Sequence, residues 1–398
     1  MVNQNICPLK TRQNIVTFGV CLRKDICWLF SSVKELIHTM DKFCVFCGKT
    51  PEQKSKEHII PKWLIELTGD PNRKAFFGLE FVHDKPRRRF YSFDSFQFPA
   101  CNVCNNEFSN LENRAQRVVL SILKEERIND IDLNCLLDWL DKIRIGLWLG
   151  FLILNKNTPG IKPKFHIKTR LSASDRLLYI YKLSTDRIGI NFIGTDSPSF
   201  LYIPSSLALL INNFCFFNVS NYNICDRRLG FPYAKEAYYI NLDLQIEAHL
   251  VKGLERRFYP IIQKHSLPNS SKFFQPIFYQ NKKIDRSLFD NEYVHNNSID
   301  WEKGIGKIFH EFNGTTTIFP REKTNAWLPP DVYELADFLP KINQQVYDFQ
   351  IDVCAKSVSL DRLPIDERRY VRKQIELYRL ANNSIINAVK KQLSKNKF

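Results

Sequence analysis

The sequence is poor in methionine and glycine and contains no long apolar run. Only 2 of its 398 residues are Met and 14 are Gly, while 44% are hydrophobic and 25% are charged. This composition argues against a disordered or low-complexity chain. The longest apolar run, residues 145–154, is about half of the length that a membrane-spanning helix needs, and residues 1–30 lack the unbroken apolar core of a signal peptide. We therefore expect a globular, cytoplasmic protein that does not enter a membrane.

The chain also lacks the acidic residues that would balance its basic ones. Its 57 Lys and Arg outnumber 42 Asp and Glu, which gives a net charge of +15. This charge favours a nucleic-acid partner, because Lys and Arg displace counterions from phosphates; the alternative is a basic proteome background. The 11 cysteines are an odd number. Without a secretion signal they indicate metal binding rather than a disulfide framework.

Three segments divide the sequence. Residues 1–40 form an N-terminal extension, and the only methionines are Met1 and Met40. We interpret Met40 as a candidate translation start, with a short amphipathic lead-in helix as the alternative. Residues 41–125 hold the paired cysteines, and residues 126–398 form a larger accessory region of mixed α+β type. Within that region the residue pattern predicts a helix over 136–154, strands within 160–260, a short helix over 301–312 and a basic helix over 365–393.

Two Cys-x-x-Cys pairs mark a predicted zinc site. Cys44 and Cys47 form the first pair, and Cys101 and Cys104 form the second. Four thiolates complete the tetrahedral shell of a structural Zn²⁺ ion and leave no open position for catalysis. Buried free thiols are the alternative, but they would give this doubled spacing only by coincidence. The isolated cysteines are predicted to be buried structural thiols: Cys135, Cys215, Cys225 and Cys354.

Between the two pairs, Glu57-His58 is the best candidate for chemistry. A neutral imidazole can take a proton from water near neutral pH. In the hydrolysis of a phosphodiester, a hard divalent ion held by one or two oxygen ligands can stabilise the negative charge that develops on the leaving 3′ oxygen. Glu57 offers such an oxygen beside His58. The pair therefore predicts His58 as a general base next to a bound metal ion.

Basic side chains near this pair are candidate phosphate contacts. Lys62 follows His58 closely, and a hairpin predicted over 76–98 carries Arg87 and Arg88 near its tip. A basic hairpin tip is usually a solvated turn. Beside a site with a general base and a bound metal ion, a phosphate contact is an equally good interpretation.

Residues 44–112 resemble the HNH endonuclease superfamily, in particular its zinc-containing bacterial branch. Members carry Cys-x-x-Cys, then Glu-His-x-x-Pro-x-Trp-Leu, then Cys-x-x-Cys-Asn and a later Leu-Glu. These motifs appear here at 44–47, 57–64, 101–105 and 111–112. The resemblance implies a ββα-metal module of the α+β class built over the zinc site, with His58 activating water. It also implies a catalytic Mg²⁺ or Mn²⁺ ion near Glu57 and the helix after Cys104.

Two features depart from the wider superfamily. Residues 96–100 stand where an Asn-Leu pair is usual, and no second His follows Cys104 on the predicted helix. Asn105 is therefore our first candidate for the residue that orients His58 or reaches the metal. Glu112 is the next candidate, either as a further ligand of the catalytic metal or as part of a structural salt bridge.

The sequence thus predicts a metal-dependent endonuclease, on DNA rather than RNA, in anti-phage defence or a mobile element. In this hypothesis the accessory region recognises the target, contacts a partner protein or inhibits the site. Two alternatives stay open. One is a zinc-stabilised nucleic-acid-binding or regulatory protein with a degenerate site, and the other is an RNA-directed nuclease.

Overall fold

The computed structural model describes most of the chain after residue 42. It describes residues 43–82, 85–93, 96–154, 161, 163, 165–195, 197–221, 224, 233–239, 246–251, 266–277, 298–300, 304–312, 315–357 and 364–395. The interpretations of residues 1–40, of Met40 and of Cys225 lie outside these ranges.

The segment with the paired cysteines combines a strand–strand–helix unit with a hairpin. Its elements are β1 (Lys54–His58), α1 (Lys62–Leu67), β2 (Lys74–Val82), β3 (Lys85–Ser92), β4 (Gln97–Cys101) and α2 (Asn102–Leu123). β1 pairs antiparallel with β4, which places His58 opposite Gln97. α2 begins at the residue after β4. β2 and β3 form an antiparallel hairpin, and Arg87 and Arg88 lie on β3.

The next helix, α3 (Asp130–Leu154), begins at Asp130 instead of the predicted residue 136. The backbone N–H of Asp132 donates to Asn129 Oδ1 at 3.0 Å, and the backbone N–H of Asn129 donates to Asp132 Oδ2 at 3.3 Å. Reciprocal bonds of this kind satisfy N–H groups at the start of a helix. α3 then runs through the interior, because every residue from 139 to 152 is buried.

The rest of the chain is organised around one large sheet. Downstream of α3 it forms α4 (Ile167–Arg170), β5 (Arg176–Ser184), β6 (Ile190–Ile193), α5 (Pro198–Tyr202), β7 (Ser206–Ile211), β8 (Phe214–Ser220), β9 (Tyr233–Tyr239), β10 (Ile246–Val251), β11 (Ser271–Gln275), β12 (Ser298–Asp300), β13 (Ile305–Gly306), β14 (Phe309–Phe312), β15 (Thr315–Ile318), β16 (Val332–Glu334), α6 (Leu335–Ser357) and α7 (Ile365–Lys395). Eight strands form one sheet in the order β15-β14-β11-β5-β8-β7-β6, with β16 beside β5. β16 runs parallel to β5. The β9–β10 and β12–β13 pairs are separate two-stranded sheets.

Both faces of the large sheet are buried. On β5, Leu178 and Ile180 belong to a core that includes α3 and the cysteine-bearing segment. Leu177 and Tyr179 point to the opposite face and pack in a second core with α6. Strands buried on both faces appear as continuous apolar runs in the sequence. The first core crosses the predicted boundary at residue 125, and that boundary stays a prediction.

The chain therefore has a mixed α+β fold with antiparallel sheets, the class that the sequence predicts. The helix predicted over 301–312 is wrong, because the described part of that segment contains β13 and β14. Cys135, Cys215 and Cys354 are buried, as predicted. Among the described residues, no helix combines the length and apolarity needed to cross a membrane.

Two glycines let α3 pack closely against the cysteine-bearing segment. A Cβ atom at Gly146 would lie 2.6 Å from Ile59 Cδ1, and one at Gly150 would lie 2.6 Å from the Phe98 ring. Ile59 and Phe98 are themselves buried in the core. The close approach of α3 therefore depends on the missing side chains.

We expect Gly146→Ala and Gly150→Ala each to lower the free energy of unfolding by about 1 kcal/mol or more. Overpacking a core costs about 1–3 kcal/mol, which exceeds the gain of up to about 1 kcal/mol that Ala has over Gly in a helix. Gly189→Ala is the control, because a Cβ there would meet no atom within 4 Å. Denaturant unfolding measures all three variants, and equal stability in all of them would contradict the prediction.

Candidate metal centre and carboxylate cluster

The four paired cysteines come together in space. The sulfurs of Cys44, Cys47, Cys101 and Cys104 all lie within 4.8 Å of one another. The Sγ atoms of Cys47 and Cys101 are 3.9 Å apart, close to the ~3.8 Å between ligands of a Zn–S₄ tetrahedron with 2.3 Å bonds. Four sulfurs from two distant pairs can thus hold a structural metal ion such as zinc.

Backbone N–H donors and burial also make these sulfurs suitable ligands for a cation. The backbone N–H of Cys101 donates to Cys44 Sγ at 3.2 Å, and the N–H of Glu52 donates to Cys101 Sγ at 3.5 Å. Burial, together with the neighbouring Cys44 thiol, raises the pKa of Cys104 to about 12. Ionising the Cys104 thiol is therefore costly without a cation in the cluster, and a divalent metal ion removes that cost.

The first cysteine turn is fixed by a segment from beyond α3. Gly48 adopts a φ of +78°, which favours glycine, and a Cβ there would lie 2.4 Å from the His166 ring. Just after His166, the N–H groups of Ile167 and Lys168 donate to the carbonyls of Val45 and Phe46. The turn that carries Cys44 and Cys47 is therefore completed by chain outside residues 41–125.

His58 lies at the end of β1 and is half-buried. The side-chain amide nitrogen of Gln97 is 2.9 Å from His58 Nε2. An amide N–H can only donate, so in this amide orientation Nε2 accepts and the neutral ring carries its proton on Nδ1. His58 thus remains accessible at the rim of the strand pair, and one ring nitrogen already has the acceptor role that a base needs.

Glu57 and Glu112 meet at a lysine that the sequence interpretation did not include. Lys142 Nζ of α3 donates to Glu57 Oε1 at 2.5 Å and also to Glu112 Oε1. The Lys142 side chain is fully buried, and the Glu57 and Glu112 side chains are 10% and 16% exposed. The other oxygen of Glu112 accepts from Trp63 Nε1 at 3.3 Å and from Trp139 Nε1 at 3.1 Å. The cluster therefore joins β1, α1, α2 and α3.

The protonation of this cluster reflects burial and pairing. Burial raises the pKa of Glu57, although the adjacent ammonium of Lys142 opposes the shift. Burial disfavours the ammonium of Lys142, but the Glu112 and Glu57 carboxylates together outweigh it and raise the pKa of Lys142. Lys142 therefore stays charged, with the two carboxylates as its partners.

The remaining site residues that the sequence predicts lie at different places in the cysteine-bearing segment. Asn105 Nδ2 donates to the Lys56 carbonyl and to Ser55 Oγ, each at 3.4 Å. Lys62 is exposed at the start of α1, and Arg87 and Arg88 are placed by their backbone on β3. Among the His, Cys, Asp and Glu residues that the structure describes, the four cysteines form the one group of three or more able to hold a single metal ion.

Lys142 is the residue that sequence reasoning missed. A lysine in a helix that is mostly apolar is a signal, because a buried ammonium needs partners. The partners themselves lie 85 and 30 residues away in the chain. Local patterns do not identify such partners.

We expect Cys44→Ser or Cys101→Ser to abolish zinc binding and cooperative unfolding of the cysteine-bearing segment. Structural zinc contributes about 10–16 kcal/mol of apparent binding energy in small domains, comparable to the whole stability of a domain. Zinc content by mass spectrometry and thermal unfolding measure the effect. Cys135→Ala is the control, since Cys135 is isolated and buried, and it should keep one zinc per chain. A folded, metal-free Cys44→Ser protein would contradict the prediction.

Comparisons with protein-family models, curated proteins and solved structures find no match to this chain. The interpretation of the site therefore depends on its own geometry. That geometry comprises a cysteine cluster able to hold a metal ion and a carboxylate pair closed by a lysine, both within a mixed α+β fold.

Proposed function

We propose that this protein is a zinc-stabilised, metal-dependent endonuclease of the HNH type that cleaves nucleic acid, with DNA as the first substrate to test. The observation that carries the proposal is the position of His58. It ends β1, which pairs with the strand leading directly into α2, and it stays half-buried opposite Gln97, while Cys101 pairs with Lys54 at the other end of the same two strands. This order of strand, strand and helix is the one that the resemblance implies.

In the proposed reaction His58 accepts a proton from the attacking water. The water oxygen bonds to phosphorus, the bond from phosphorus to the leaving 3′ oxygen breaks, and the proton goes to His58 Nε2. That nitrogen is in contact with the Gln97 amide in the free protein. Water must therefore replace the Gln97 amide at Nε2. We expect substrate that binds at half-buried His58 to displace this amide.

A Mg²⁺ or Mn²⁺ ion remains part of the proposal, since its positive charge would stabilise the negative charge on the leaving oxygen. Glu57 and Glu112 do not fit as its ligands, because Lys142 binds both. Asn105 is the remaining candidate from the sequence. Lys54, Lys56 and Lys62 are exposed around His58 and suit contact with a phosphate backbone.

The long C-terminal helix supports a nucleic-acid partner. α7 spans 31 residues, or about 46 Å at 1.5 Å per residue. Val371 and Ile375 are buried on one side. Helical spacing places five exposed basic residues in one broad stripe on the side away from Val371 and Ile375: Arg369, Arg372, Lys373, Lys390 and Lys391. We propose that this stripe lies along the phosphate backbone of the substrate. A biological role in anti-phage defence or as part of a mobile element stays a prediction.

A second candidate is a zinc-stabilised nucleic-acid-binding protein without nuclease activity. The salt bridges of Lys142 favour it, because they remove two carboxylates from the set of possible metal ligands. The two proposals differ only in catalysis, and a cleavage assay separates them.

His58→Ala should reduce nicking of supercoiled plasmid in Mg²⁺ or Mn²⁺ by at least about 100-fold, because it removes the general base. Lys323→Ala, an exposed change far from His58 in the chain, is the control and should cleave normally. Single-stranded RNA is offered in parallel to identify the substrate class. If wild type and His58→Ala cleave equally, His58 has no catalytic role; if wild type cleaves nothing with either metal, the binding protein is the better assignment.

Arg372→Ala/Lys373→Ala should weaken nucleic-acid binding through fewer phosphate contacts. Each lost contact lowers the slope of log affinity against log salt by about 0.9, so we expect a decrease of about 1.8 for duplex DNA. Fluorescence anisotropy between 50 and 200 mM salt, a range in which such contacts dominate, measures the slope. An unchanged slope in the double variant, with Lys323→Ala as the reference, would show that α7 does not contact the substrate.

A further inference from the structure

The environment of Lys142 resembles that of a bound cation. Its Nζ atom lies between carboxylates from two different elements, Glu57 on β1 and Glu112 on α2. The ammonium thus occupies the point where the sequence predicts a divalent ion.

Other side chains contact the pair and enclose Lys142. Glu112 already accepts from Trp63 and Trp139 through its other oxygen, and the aromatic ring of Phe46 lies 5.9 Å from Lys142 Nζ. The lysine side chain has no exposed surface. A divalent ion could bind here only by expelling the ammonium into an apolar interior, which is strongly unfavourable.

We propose that Lys142 is the resident cation of the Glu57–Glu112 pair and a positioning residue for His58. It holds Glu57, the residue directly before His58, against α2 and α3, and it excludes a divalent ion from the two carboxylates. The part that concerns His58 rests on the proposed nuclease function. The part that concerns the carboxylates does not, since it is a statement about which cation they bind.

The first experiment measures metal binding without activity. Mn²⁺ is titrated into the full-length, zinc-loaded protein and followed by electron paramagnetic resonance. Glu112→Gln keeps the Glu57–Lys142 pair and an acceptor for the tryptophans, so its fold should survive. We expect wild type and Glu112→Gln to bind Mn²⁺ with affinities within twofold. A loss of more than tenfold in the variant would overturn the proposal, because it would make Glu112 a metal ligand.

The second experiment tests positioning by rescue. Lys142→Met leaves two carboxylates without a cation beside His58, and we expect kcat for cleavage to fall by at least tenfold with KM within twofold. The triple variant Lys142→Met/Glu57→Gln/Glu112→Gln is neutral and of similar shape, an exchange that buried ion clusters often tolerate. It should recover kcat to within about threefold of wild type with the same Mg²⁺ dependence.

The outcomes of the two experiments are distinguishable. A folded, zinc-loaded triple variant that stays as slow as Lys142→Met would overturn the positioning role, because the charges themselves would then be required for chemistry. If wild-type protein cleaves no substrate, the proposed function fails. The Mn²⁺ comparison would still decide whether Lys142 or a divalent ion is the cation at this site.

Discussion

The burial of α3 on all sides between residues 139 and 152 is the constraint on which the structure depends. A helix without an exposed face must find a partner inside the protein for each polar side chain that it carries. Lys142 finds its partners on the side of the cysteine-bearing segment. The partners of Arg144 lie elsewhere. Its Nε donates to the Pro204 carbonyl at 2.9 Å, and its Nη1 lies 2.7 Å from Asp141 Oδ1. The helix therefore joins the two parts of the chain through matched charges as well as apolar contacts.

Much of the metal centre could be predicted from the sequence, because zinc-binding cysteines follow a strict local spacing. Cys44 and Cys47 lie on one turn, and the geometry of that turn requires the two-residue gap. The same holds for α2, whose apolar residues follow the helical period over 22 residues. The segment 301–312 was predicted wrongly for the opposite reason. β14 exists because it pairs with β11, which lies more than 30 residues earlier, and local composition does not contain that information.

The carboxylates show where a motif stops being informative. Glu57 and Glu112 are the two carboxylates that the sequence offered as candidate ligands of a catalytic metal ion. Their actual contacts depend on α3, which enters the cluster from outside the motif. A motif specifies which groups are near one another along a few elements. It does not specify which other element completes the cluster, and here that element changes what the two carboxylates can bind.

The contact between His166 and the first cysteine turn has a consequence for how this protein can evolve. The His166 ring covers Gly48, and the two residues after His166 complete the hydrogen bonding of the turn. A fragment ending at residue 125 would lose this cover and would also lose Lys142, leaving two carboxylates unpaired. The cysteine-bearing segment is consequently not a portable cassette. Recombination could exchange it between proteins only if α3 and the residues around His166 moved with it.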